Sequence, residues 1–157
     1  MTVSTECSPA LWTLLTDNSG RKGWFERIDE LVRDPAAVDA IRANLPAIQA
    51  ARQPADPKVI VRELAKMVPI FGVSDRSAAE WSTFWRFYLD VLDDVPPAAL
   101  RAAITEYVSA PDSNFFPRPG PLKAICDRHS ATVKIAERLA QRVLQRIEPA
   151  TPQGAAA

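Results

Sequence analysis

The sequence is poor in the residues that most enzymes and metal proteins depend on. It has one histidine, His129, and two cysteines, Cys7 and Cys126. A nucleophile–base arrangement has only His129 to build on, and no motif sets a serine or cysteine beside it. Cys126 and His129 stand three apart, which puts two zinc ligands on one helical face. Structural zinc sites take four ligands, and no second pair follows. Two cysteines in distant parts of the chain make no disulfide framework. Glycine is scarce, with five residues, and Gly20, Gly23 and Gly120 complete no G-x-x-x-x-G-K-[ST] segment, which excludes a P-loop ATPase. No apolar run approaches the roughly 20 residues that span a bilayer. Met1 to Pro9 carries Ser, Thr and Glu where a signal segment would be apolar. Formal net charge is zero, so attraction to an anionic partner must come from local asymmetry. These absences predict a soluble, non-enzymatic protein with no cofactor, no metal and no membrane. They place it in the cytoplasm of a bacterium or an infected host cell.

What is abundant is proline, 14 residues, and helical periodicity. Many of the prolines stand where a helix should start, behind a capping residue. Ser8-Pro9 opens a short helix through Leu15, and Asp17 to Gly20 breaks it. Residues 22–33 carry Trp24, Phe25, Ile28, Leu31 and Val32 at helical spacing. Asp34-Pro35 caps a segment with Val38, Ile41 and Leu45 on one face, which Pro46 ends or kinks. Arg52 to Ala55 reads as a linker. Asp56-Pro57 starts a helix with Ile60, Leu64, Met67 and Val68 inward, stopped by Pro69 and Gly72. Ser77 to Glu80 is a capping box. It opens an aromatic helix in which Trp81, Phe84, Trp85, Tyr88, Leu89 and Leu92 form one stripe. Phe87 and Val91 widen its apolar arc, which predicts a central, surrounded helix. A helix with Leu100, Ala103, Ile104, Tyr107 and Val108 follows Pro97; then comes a stiff loop from Pro111 to Pro119. Gly120-Pro121 starts a last helix that runs to about Ile147. No segment alternates as a strand. The expected fold is all-α, a compact bundle of about six helices with a long C-terminal helix.

Three features are candidates for contact. Asp90, Asp93 and Asp94 cluster beside a turn, a pattern that more often marks a solvated helix end than a cation site. His129 falls on the same face of the last helix as Leu122, Ile125, Ala136 and Val143, which predicts a partly buried core or interface histidine. Lys134, Arg138, Arg142 and Arg146 form a row on that helix with Glu137 as the only acid inside it. Such a row is either a solvated face or a seat for an anionic partner, nucleic acid or an acidic protein surface. The apolar seam of the same helix, from about Val133 onward, is expected to outrun the bundle and lack an intramolecular partner. A second copy of the chain, or a groove in another protein, would then cover it.

A family resemblance enters over residues 60–126. Val68-Pro69 ends one helix; Ser77, Glu80 and Trp81 open the next, which carries Tyr88 and Leu92. Asp93 to Pro96, Leu100, Ala103, Tyr107, Phe115-Phe116-Pro117 and Gly120-Pro121-Leu122 follow in order. This succession resembles the small helical proteins of tailed phages that load or inhibit the replicative helicase. The resemblance implies a non-enzymatic adaptor that docks on a hexameric ATPase and holds its ring in one state. The partner-binding residues expected on this reading are Phe115 and Phe116, on an exposed loop, with Lys134, Arg138, Arg142 and Arg146. The alternatives are a DNA-binding packaging or regulatory protein of a phage or mobile element, and an inhibitor of a host protein. The expected division is an N-terminal helical region (1–54), a main bundle (55–126), an extended basic helix (127–148) and a disordered tail (149–157).

Overall fold

In the computed structural model, residues 9–16 and 23–148 are described; the expected disordered tail, and Cys7, lie outside them. The fold is all-α, with no strand among the described residues. Eight helices follow one another: α1 (Pro9–Thr16), α2 (Trp24–Val32), α3 (Pro35–Ala50), α4 (Pro57–Ala65), α5 (Val68–Phe71), α6 (Ala78–Val91), α7 (Pro97–Ser109) and α8 (Pro119–Ile147). No helix among the described residues is long and apolar enough to cross a membrane.

Local chemistry sets most of the boundaries. Asp34 Oδ1 accepts from the backbone N–H of Ala36 and Ala37 at the start of α3. Asp56 Oδ1 accepts from Lys58 N at 2.8 Å, with Pro57 behind it needing no donor. Ser77 and Glu80 close the capping box at the start of α6, Ser77 N donating to Glu80 Oε2 at 2.8 Å and Glu80 N to Ser77 Oγ at 3.3 Å. Gly72 ends α5 in the left-handed region, φ 58°, where a side chain would be strained. One proline behaves differently from expectation, and a second does not end its helix. Pro69 opens the single turn of α5 instead of stopping a helix. Pro46 lies inside α3, which continues to Ala50. A proline inside a helix costs about 3 kcal/mol, and Ile41 and Ile48, both fully buried on either side of it, offset that cost by burial.

The chain divides into two compact units. Residues 51–132 make one, holding α4–α7 and the first half of α8. Its core joins Ile60, Leu64 and Met67 of α4 and the turn after it to Tyr88, Leu92, Val95, Leu100, Ala103, Leu122 and Cys126. The N–H of Ala55 donates to the Val95 carbonyl at 2.9 Å, fixing the entry to α4 against the α6–α7 turn. Residues 9–16, 23–50 and 133–148 belong to the other unit, with Leu11, Leu15, Ile28, Leu31, Val38, Ile41 and Ile48 buried from α1–α3.

This division corrects two expectations. The boundary in the last helix falls near residue 132, so 127–148 is not a separate element projecting from a bundle. Its distal apolar seam has an intramolecular partner: Val133, Ala136, Leu139, Ala140 and Val143 are all buried. The same half-helix is tied to α2 and α3 through Arg146 with Asp29 at 3.1 Å and Glu148 with Arg42 at 2.6 Å. A helix near 29 residues outruns one small core and is used by a second. The aromatic helix α6 is likewise not surrounded, since Phe87 is 64% exposed and Val91 lies at the surface.

Candidate partner-binding surface

The stiff loop after α7 is organised by the aromatic helix beneath it. Phe116 turns inward, its ring 5.5 Å from that of Phe84, 5.7 Å from Tyr88 and 6.4 Å from both Phe71 and Trp85. Two tyrosine hydroxyls hold the backbone on either side of it. Tyr107 donates to the Phe115 carbonyl at 2.9 Å, and Tyr88 donates to the Pro117 carbonyl at 2.7 Å. The second bond is buried, and burial pushes the Tyr88 phenol up to about 12, so it stays a donor. Phe115, whose own carbonyl takes the first of these bonds, is 79% exposed. The expectation of an exposed Phe115–Phe116 pair is therefore half corrected: Phe115 faces solvent, and Phe116 is a half-buried part of the aromatic cluster. The chain bends at Phe115, and the ring of Phe116 enters the aromatic cluster while that of Phe115 stays outside.

The aromatic cluster also reaches the surface. Arg76 stands over the Phe84 ring at 4.5 Å and the Trp81 ring at 5.6 Å. Trp81 stacks on Trp85 with centroids 5.5 Å apart. Phe84 and the exposed Phe87 share a shallow groove with Arg76, Ala79, Glu80 and Thr83.

The four predicted cations of α8, Lys134, Arg138, Arg142 and Arg146, are all exposed. Arg146 is held by Asp29. Arg142 and Arg146 line a groove with Gln145, Trp24, Phe25 and Ile28, and Phe25 is 74% exposed. The sequence pattern had counted Phe25 into the buried stripe of α2. The stripe spans more arc than α2 buries, and Ile28 and Leu31 take the interior.

His129 and Cys126 have structural roles. His129 Nε2 lies 2.7 Å from Glu106 Oε2, and Arg128 holds the other oxygen of Glu106 at 2.7 Å, joining α8 to α7. Burial, with Asp127 nearby, pushes the Cys126 thiol up to about 12, which keeps it protonated and unreactive. Among the described residues no group of three His, Cys, Asp or Glu side chains could hold a metal ion. Asp94 of the acidic cluster pairs with Lys123 at 3.2 Å, while Asp90 and Asp93 are exposed. No family model, curated protein or solved structure matches the chain.

Glu106 gives the α7–α8 contact a pH dependence. Hydrogen bonds from Arg128, then from His129, hold its carboxyl below the ordinary glutamate value. A depressed carboxylate stabilises the fold above the unfolded-state value, and that contribution is lost as pH falls through the folded-state value. In urea melts, wild type should exceed Glu106→Gln at pH 7, and the two midpoints should converge by about pH 2. The effect is modest, because both ion-pair partners are solvated. A gap that persists undiminished in acid would remove the charge from this account.

Proposed function

We propose that the protein is a non-enzymatic adaptor of phage-type DNA replication, which binds a replicative helicase and loads or restrains it. The reading rests on the resemblance over residues 60–126, which fall within one compact unit. The observation that carries it is the presentation of Phe115. A single large ring, 79% exposed, stands on a loop whose backbone is held by tyrosine hydroxyls at its own carbonyl and at that of Pro117. Holding the backbone beneath an exposed aromatic lowers the loop-ordering cost when a partner covers it, which suits an interface anchor. The exposed row Lys134, Arg138 and Arg142 belongs to the other unit and is a separate cationic surface suited to an acidic patch. Docking through such an anchor needs no nucleotide hydrolysis by this chain: it holds the helicase ring in one state until DNA displaces it.

The test is co-purification of the tagged full chain with a hexameric replicative ATPase, together with the helicase's own hydrolysis rate. Wild type should retain the hexamer and change that rate. Phe115→Ala should lose retention by at least about tenfold, the usual weight of an anchor residue. Failure of wild type to retain any hexameric ATPase overturns the proposal.

A further inference from the structure

A second charged surface lies in the unit of residues 51–132, on α4 and α7. Along α4, Lys58, Arg62 and Lys66 stand four residues apart, so their stems rise about 6 Å per step on one side of the helix. Arg101 joins them from α7. Arg62, Lys66 and Arg101 converge on one carboxylate. Glu63 is nearly buried, its side chain 6% exposed, and it accepts from Lys66 Nζ at 2.6 Å. Arg62 Nη2 and Arg101 Nε both approach its other oxygen, at 3.4 and 3.5 Å. The three cations remain more than half exposed. Asp56, the N-cap of α4, accepts from the backbone N–H of Lys58 and is the other negative charge at this end of the helix, which leaves the four cations in excess over two carboxylates.

The charge is thus badly unbalanced. Three cations share the Glu63 carboxylate beneath them while Lys58 stands without an ion pair among the described residues, and the two long guanidinium contacts leave most of the N–H donors of Arg62 and Arg101 facing solvent. Like charges held this close are relieved by an anion arriving from outside. The α8 row differs in this respect, because α2 already sets Asp29 against Arg146 and carries Glu26 and Glu30 as well. The surface beside the α4 row is lined by Pro57, Lys58, Val61, Arg62 and Leu89. That lining offers no aromatic ring on which an unpaired base could stack.

We infer that the α4–α7 face, through Lys58, Arg62, Lys66 and Arg101, binds the phosphate backbone of duplex DNA without sequence preference. The reading stands apart from the proposed helicase contact, which uses Phe115. Backbone binding of this kind is driven by release of counterions, so its affinity falls steeply with salt.

The experiment uses the full chain and a fluorescein-labelled 30-base-pair duplex of arbitrary sequence, followed by anisotropy between about 50 and 200 mM salt. The expected plot of log affinity against log salt has a slope of about −3 to −4, the value for four phosphate contacts. The triple variant Lys58→Gln, Arg62→Gln, Arg101→Gln keeps Lys66 against Glu63 and so keeps the fold. Its slope should shrink by about 2 to 3, with binding at least tenfold weaker at low salt. Should that variant melt early, Lys58→Glu alone, which touches no partner of Glu63, should give at least a several-fold loss. Lys134→Gln with Arg138→Gln should leave the slope unchanged. The inference is overturned by absence of duplex binding at 50 mM salt, or by loss of binding in the α8 variant instead of the α4–α7 variant. A single-stranded 30-mer bound more than about tenfold tighter than the duplex would also overturn it, since that requires stacking. So would capture of polyglutamate with no affinity for DNA, which would assign the face to an acidic protein.

Discussion

A chain ending at Thr132 should lose the fold of α2 and α3 while α4–α7 keep theirs. The deletion removes Val133, Ala136, Leu139, Ala140 and Val143, all buried, from the core of the second unit. It also removes Arg146 from Asp29 and Glu148 from Arg42. What is left of that unit is α1–α3, spanning Pro9 to Ala50. Segments of about 40 residues seldom bury enough apolar surface to stand alone without a disulfide or metal, and none is present there among the described residues. The unit of residues 51–132 retains its whole core, from Ile60 to Cys126. Native-state hydrogen exchange should therefore show α2 and α3 amides unprotected in the truncated chain, and α4, α6 and α7 amides as in wild type. Leu139→Ala in the full chain should act in the same direction, costing about 2–5 kcal/mol as a fully buried leucine does. Unchanged protection of α2 and α3 after truncation would mean that the seam is not their cover.

That outcome bears on what periodicity alone can say. The stripe Leu122, Ile125, Ala136, Leu139, Val143 reports which face of α8 is apolar, and the structure agrees about the face. It says nothing about which segment shares that core, because residues 133–148 belong to one unit with segments far earlier in the chain. Features with local causes were legible: the Asp56-Pro57 and Ser77–Glu80 starts, the Pro97 start, and the inward set Ile60, Leu64 and Met67. Features that join distant segments were not. Lys58, Arg62 and Lys66 show their spacing in the sequence, but Arg101 reaches Glu63 from 38 residues further on, and only the packing of α7 against α4 assembles the patch. For a related reason Pro46, read locally as an end or a kink, does not end α3. Its local cost is real, and burial on both sides of it overrides that cost.

Phe115 and Phe116 are adjacent in sequence and should respond to alanine in opposite ways. Phe116 packs against Phe71, Phe84, Trp85 and Tyr88, so truncating it empties space at the edge of a core. Deleting a fully buried phenylalanine costs about 3–5 kcal/mol, and a half-buried one should cost about 2–3 kcal/mol. Edge-to-face pairing with Tyr88, at 89° between the rings, adds to the area term. Phe115 makes no such contact and is 79% exposed, so Phe115→Ala should shift stability by no more than about 0.5 kcal/mol. Urea melts of the two variants separate these expectations directly. The functional contrast has a different shape. Phe115→Ala should abolish partner capture with the melt unchanged, which a residue of the fold cannot do. Phe116→Ala should also weaken capture, but through the loop: with the ring gone, only the hydroxyls of Tyr107 and Tyr88 hold the backbone at Phe115 and Pro117. Tyr88→Phe isolates that effect. It leaves the rings in place and removes the donor to the Pro117 carbonyl, a buried loss of about 1–3 kcal/mol. If the loop's rigidity matters, Tyr88→Phe weakens capture while Phe115 itself is intact. Full capture by Tyr88→Phe, measured below its melting point, would show that the partner tolerates a loose loop, and the clamp would then belong to the fold alone.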